Sequence, residues 1–193
     1  MPRFGEQEKE RIKQCLLKEG EHLFSVYGLK KVTVDDIVKS VNIAKASFYK
    51  FYDGKEYLFF DIVQKEQNKI FEELEDVLIA SKDKSDKERV KLVFYMMSDL
   101  MRKYPILTGI DKETVELIAR KVSPQRLEEY IKQGFDAVKV MEAQGIKFKY
   151  DTKVISQLFQ SLYQSWIALQ GQTQEIKAQV INIMLDGIIE KII

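Results

Sequence analysis

The sequence predicts an all-α protein, and three observations carry that expectation. Apolar residues recur at three- and four-residue spacing along most of the chain. No segment alternates apolar and polar residues as a half-buried strand does, and Asp53-Gly54 joins two helical patterns instead of two strands. Only three prolines and nine glycines punctuate 193 residues, so long regular elements are expected. About nine helices result. They form an N-terminal three-helix unit over residues 1–53 and a larger helical domain over 54–193, connected by a helix over 54–80.

The first helix is expected from about Glu6 to Tyr27, with Ile12, Leu16, Leu23 and Phe24 on one face and Gly28 as its stop. Thr33 opens a short second helix. Its hydroxyl can cap the orphan amides, and Asp36 three residues on completes a capping-box pattern. Ile37, Val38 and Val41 form that helix's apolar face. Asn42 tolerates the left-handed backbone that a tight turn requires. A third short helix follows over roughly Lys45 to Tyr52. Asp53 is expected to cap the long helix to about Ala80, with Glu56 in its first turn.

After the polar run Ser81 to Glu88, a helix from about Lys87 to Lys103 turns Val90, Val93, Phe94 and Met97 inward. Pro105 and Gly109 break the pattern. Another helix covers about Lys112 to Lys121. Ser123-Pro124 reads as a cap plus first-turn proline, opening a helix to about Gln144 that Gly145 ends. Two last helices span about Thr152 to Gln170 and Thr173 to Ile192.

The two short helices flank a turn of three or four residues. This is a helix-turn-helix, whose second helix can enter a DNA major groove. The segment "NIAKASFYKFYDGKEYLF" (Asn42 to Phe59) mixes lysines with aromatics, and helical geometry separates them. Phe48 and Tyr52 are four residues apart and share the face that packs on the preceding helix. Lys45, Ala46, Ser47, Tyr49 and Lys50 face the other way. Lysines can meet phosphates or base acceptors, Ser47 and Tyr49 can hydrogen-bond phosphate, and Ala46 allows close approach. Six lysines against three aspartates from Gly28 to Lys55 give a local charge of +3, in a chain whose net charge is only +1. So modest a surplus calls for a second copy of the reading surface.

The run "TVDDIVKSVNIAKASFYKFYDGKEYLF" (Thr33 to Phe59) resembles the DNA-binding domain of the TetR/AcrR family of bacterial regulators. It shows a Thr-capped helix, a tight turn, the Ser47-Phe48-Tyr49 triplet, the Phe51-Tyr52 pair and Lys55-Glu56-x-Leu58. There are departures: Asn42 replaces the turn glycine, Ala46 a Gly or Pro, and Lys50 a frequent His or Trp. Lys50 tilts base preference toward guanine, which offers two acceptors. The resemblance implies that Thr33 and the start of its helix touch phosphate. It implies that Lys45, Ala46, Ser47 and Lys50 lie in the groove, and that Tyr49, Phe51 and Lys55 lie near the DNA backbone.

The resemblance also implies that the remaining residues bind an effector and dimerise. The implied protein is a repressor that binds a palindromic double-stranded DNA operator as a homodimer and releases it for a small, largely apolar molecule. Met and aromatic residues suit adaptable pockets, which makes Phe94, Met97, Met101, Phe135, Phe159, Tyr163 and Trp166 candidates; plain core has the same spacing. The last helix carries Ile176, Val180, Ile183 and Gly187 on one face and Ile181, Leu185, Ile188 and Ile192 on another. Two apolar faces need two partners. With Leu158, Leu162 and Leu169 of the preceding helix, the first face suits a four-helix bundle between two subunits.

Val154 to Gln174 is uncharged over 21 residues, but ten of them are Gln, Ser or Thr, so a membrane span is not expected. One histidine (His22), one cysteine (Cys15) and no His-Glu-x-x-His pattern argue against an enzyme, a cofactor, a metal centre or a disulfide. Cys15 reads as a small apolar residue. The charged N-terminus lacks the apolar stretch of a signal peptide, and a cytoplasmic protein is expected.

Overall fold

A computed structural model describes residues 5–108, 110–133, 136–169 and 171–193, with side chains for all of these except 98, 101, 102, 108 and 129–133. Every regular element among them is a helix. In chain order these are α1 (Glu6–Lys31), α2 (Val34–Val41), α3 (Lys45–Phe48), α4 (Lys55–Ala80), α5 (Asp86–Lys103), α6 (Pro105–Thr108), α7 (Lys112–Lys121), α8 (Pro124–Gln133), α9 (Ala137–Ala143), α10 (Thr152–Ala168) and α11 (Gln174–Ile192). Eleven replace the expected nine for two local reasons. Pro105, which lacks an N–H, opens the extra turn α6 instead of merely breaking the chain. The helix expected from 124 to 144 is two, because the Asp136 carboxylate accepts the Val138 amide at 3.1 Å and starts a new helix there.

Gly28 acts as expected, but within the helical run. Its φ of 77° breaks the helical path of α1, a conformation open to glycine, and one short turn follows to Lys31. Asp53 does not cap α4. Its carboxylate has no hydrogen bond, and the Gly54 carbonyl takes the first amides, from Tyr57 and Leu58.

The chain packs as two compact units: Met1–Asn68 with Tyr104–Gly134, and Lys69–Lys103 with Phe135–Ile193. The first is built on Leu16, Phe24, Ile37, Phe48, Leu58 and Phe60, all buried. Burial of each such side chain contributes about 1.5–3 kcal/mol. Gly20 lets α1 press against α4; a Cβ there would meet Leu58 Cδ2 and Ile62 Cδ1 at 3.0 Å. Phe24 meets Phe59 edge to face at 5.2 Å. Cys15 lies off the apolar stripe of α1 and is exposed, against expectation.

The second unit is built on Leu74, Leu78, Val90, Met141, Ile155 and Leu185. Within it α5 and α11 run antiparallel and are laced on their outer side. Lys87 pairs with Glu190 at 2.6 Å, Lys91 with Asp186, and Tyr95 hydrogen-bonds Asn182. Arg89 is buried beneath them and donates to the carbonyls of Leu78 (3.3 Å) and Gln144 (3.0 Å). Those bonds compensate part of the cost of burying a guanidinium.

Candidate nucleic-acid interface and ligand cavity

The reading surface is set by local chemistry. Thr33 and Asp36 form a complete capping box: the Asp36 amide donates to Thr33 Oγ1 at 3.2 Å, and the Thr33 amide donates to Asp36 Oδ2 at 2.9 Å. The Thr33 hydroxyl and amide hold the Asp36 carboxyl below its ordinary range. Asn42 ends α2 at φ 56°, ψ 49°, and its amide reaches back to the Lys39 and Val38 carbonyls. This left-handed residue aims the chain into α3.

The α-helix of the reading segment is shorter than expected, Lys45–Phe48. Turn bonds carry it on. Phe51 and Tyr52 amides donate to the Phe48 carbonyl at 2.9 and 3.1 Å. Phe48 and Tyr52 are buried with rings 6.0 Å apart, so the separation of aromatics from lysines holds. Lys45, Ala46, Tyr49 and Lys50 are exposed and Ser47 is half-buried. Tyr49 is 51% exposed, and its ring stands edge-on against Phe48 at 5.5 Å. Phe51 is half-buried against the core of this unit.

Lys45 and Lys55 are among the engaged lysines. Lys45 pairs with Asp35 at 2.9 Å, and that carboxylate raises its pKa. Both partners are exposed, so the pair is weak and exchangeable. Lys55 Nζ donates to the carbonyls of Leu29 (2.7 Å), Lys30 (3.2 Å) and Val32 (2.5 Å). An ammonium has three donors. In this arrangement all three donors tie Lys55 to the end of α1. The adjoining Lys30 bonds Asp111 at 3.1 Å and Glu113, tying the same end of α1 to the start of α7. The Thr114 hydroxyl and amide, with Lys30, hold the Asp111 carboxyl at about 2.

In the second unit a cavity of about 420 Å³ gathers Phe94, Met97, Phe159 and Tyr163. Phe135 and the Met101 side chain lie outside the described residues. Trp166 does not line the cavity. It stacks on Tyr163 at 5.9 Å, and Lys177 Nζ stands 3.7 Å above its ring. The cavity also includes Asp136, Met141, Ser156 and Gln160, which were not among the expected pocket residues. Asp136 and Ser156 are 20 residues apart and meet only in the fold. Among the described residues no three His, Cys, Asp or Glu side chains cluster as metal ligands do.

The expected second apolar face of α11 is present. Ile181, Leu185 and Ile192 are buried as expected, but Ile188 is only half-buried and Ile189 takes its place in the core, whereas Ile183 is 74% and Ile176 46% exposed. Gly187 is also exposed and Val180 half-buried. On α10 and at its end, Leu158 and Leu169 are half-buried. Leu162 differs from the expectation: it is buried in the unit's own core and is not available to a second subunit. Among the described residues no helix is long and apolar enough to cross a membrane.

Residues 16–62 match the family described as bacterial regulatory proteins, tetR family. Over 72 residues the chain is 39% identical to the biofilm operon icaADBC HTH-type negative transcriptional regulator IcaR of Staphylococcus epidermidis, a match that spans 37% of each chain. Similarity of fold extends further. The TetR family transcriptional regulator PfmR of Thermus thermophilus superposes with a TM-score of 0.64 at 16% identity, covering 95% of this chain and 97% of that one. The fatty acid degradation regulator FadR of Bacillus halodurans does so with a TM-score of 0.58 at 15% identity, again over 95% and 97%. The capping box, the left-handed turn and the exposed residues that follow it lie within the matched segment, which is similar to the tetR family of bacterial regulatory proteins, and the chain as a whole shares the all-helical fold of those solved structures.

Proposed function

We propose that the protein is a repressor that binds a palindromic DNA operator as a homodimer and lets go when a small, largely apolar molecule fills the second unit. Residues 1–53 are the reading domain and 54–193 the effector and dimerisation domain, of which 54–68 and 104–134 pack with the reading helices in the first unit. The observation that carries the reading is the exposed set Lys45, Ala46, Tyr49 and Lys50, with half-buried Ser47 among them, on a buried Phe48–Tyr52 anchor. Exposed side chains on a short helix and the turn that follows it suit a major groove. Thr33, at the amide-rich start of α2, suits a phosphate. Negative regulation, named for the Staphylococcus relative, supports repression here.

The exposed Ile176 and Ile183 support a second subunit on α11. A two-fold pair would set two reading helices about one DNA turn apart, roughly 34 Å. Ligand would act by favouring a state in which the helices no longer match successive grooves.

Fluorescence anisotropy with DNA from upstream of the protein's own gene tests the reading. Selective binding that weakens steeply with salt is the expected result; no binding at low salt would overturn it. Ile183→Glu is expected to leave helicity unchanged and shift sedimentation from dimer to monomer. A dimer that survives this change removes α11 from the interface.

A further inference from the structure

The cavity in the second unit has one feature that an all-apolar effector does not use. Its walls are Val93, Phe94, Met97, Met141 and Phe159 on one side, with Asp136 and Ser156 at the edge of α9 and α10. Asp136 is the only carboxylate, and no Lys or Arg stands, among the described lining residues. No described cationic side chain pairs with it elsewhere. Its oxygens accept from the Val138 amide at 3.1 Å and lie 2.9 and 3.0 Å from Ser156 Oγ. Ser156 is also 2.8 Å from the Thr152 carbonyl, so its single hydroxyl proton is shared among three acceptors. A carboxylate offers about four acceptor sites. Asp136, half-buried, therefore keeps unused acceptor capacity beside apolar walls, with no cation opposite it among the described lining residues.

We propose that this cavity takes a ligand with an apolar body and one protonated amine, the ammonium pairing with Asp136. The inference rests on the reading of this cavity as the effector site. The volume of about 420 Å³ lies within the usual range for small-molecule sites, about 300–1,000 Å³. The apolar walls bury the body of the ligand. The ammonium supplies both the charge and the donors that Asp136 lacks, as a charge-assisted hydrogen bond. An anionic head in the same place would face like-charge repulsion, which sets the selectivity.

Three probes with the same chain separate the possibilities: decylamine, decanol and decanoate, each titrated at neutral pH below its aggregation limit. Tyr163 lines the cavity and stacks on Trp166, the sole tryptophan, so indole fluorescence reports occupancy. Decylamine is expected to bind about tenfold tighter than decanol, with decanoate weakest. Asp136→Asn keeps the cap and an acceptor for Ser156 while removing the charge. It is expected to bring decylamine down to the affinity of decanol without changing the melting temperature of the ligand-free protein by more than a few degrees. Decanol or decanoate binding as tightly as decylamine, a preference that survives Asp136→Asn, or no binding of any probe would each overturn the proposal. Asp136-dependent binding of decylamine that leaves operator affinity unchanged would uphold the cationic site and overturn ligand-controlled release.

Discussion

The two compact units are specified in different ways. In the reading unit the decisive interactions are close in sequence. The capping box spans three residues, the Asn42 turn reaches back three and four, and Phe48 meets Tyr52 four residues on. In the cavity unit they are distant. Ser156 meets Asp136 across 20 residues, Arg89 meets Gln144 across 55 and Lys87 meets Glu190 across 103. Local chemistry can be repeated from one protein to another with little change, whereas distant pairing can be solved by many residue sets. This contrast parallels the comparisons: the segment match stays within residues 16–62, while the fold likeness covers nearly the whole chain at low identity.

The sharpest way to break this contrast is Phe48→Ala. Phe48 is fully buried under the reading surface, and its loss is expected to cost about 3–5 kcal/mol of stability. Chemical denaturation measures this, and DNA affinity is expected to fall with it because the short helix has so few other anchors. A loss under 1 kcal/mol would mean the reading helix is held by the rest of the unit.

Tyr49→Ala separates display from scaffold. The ring is half-exposed, so stability is expected to change little, while operator affinity falls by about 1.5–3 kcal/mol, roughly 10- to 150-fold. Equal affinity would remove Tyr49 from the contact surface. Thr33→Ala tests the cap and is expected to cost about 1 kcal/mol. Thr33→Ser is expected to restore most of it, since the serine hydroxyl accepts the same amide.

The smallest effect concerns pH. Asp111 is held at about 2 in the folded chain, below the ordinary aspartate value of just under 4. A depressed carboxyl stabilises the fold above its unfolded pKa, and that contribution is lost as pH falls from about 4 toward 2. Asp111→Asn keeps a cap but loses the charge facing Lys30. Its melting temperature is expected to lie slightly below that of the parent at pH 7, with the gap closing by about pH 2. A gap that stays constant across that range would show that Asp111 acts only as a neutral cap.

Much of the reading unit is legible in the sequence. Thr33 with Asp36, Asn42, and the four-residue spacing of Phe48 and Tyr52 each obey a short-range rule. Lys55 is not, because its role as an anchor for α1 depends on bringing carbonyls 23 to 26 residues away to one ammonium. Asp53 was misread for a related reason: an acidic residue before a helix suggests a cap, but the backbone path gave that position to Gly54. In the other unit the periodicity of α11 separated an inward from an outward face. It could not show that Leu162 is consumed inside the subunit, since burial depends on which helix lies opposite.

Sequence by itself determined the all-helical class, the Thr33 cap and the Asn42 turn, and that the last helix has an inward and an outward face. Each follows from backbone geometry over a few residues. Only tertiary structure decided that Lys55 holds α1 and that Asp136 stands beside Ser156 at an apolar cavity. Those outcomes depend on through-space distances between residues that the chain keeps far apart, and hydrogen bonds and charges respond to that distance alone.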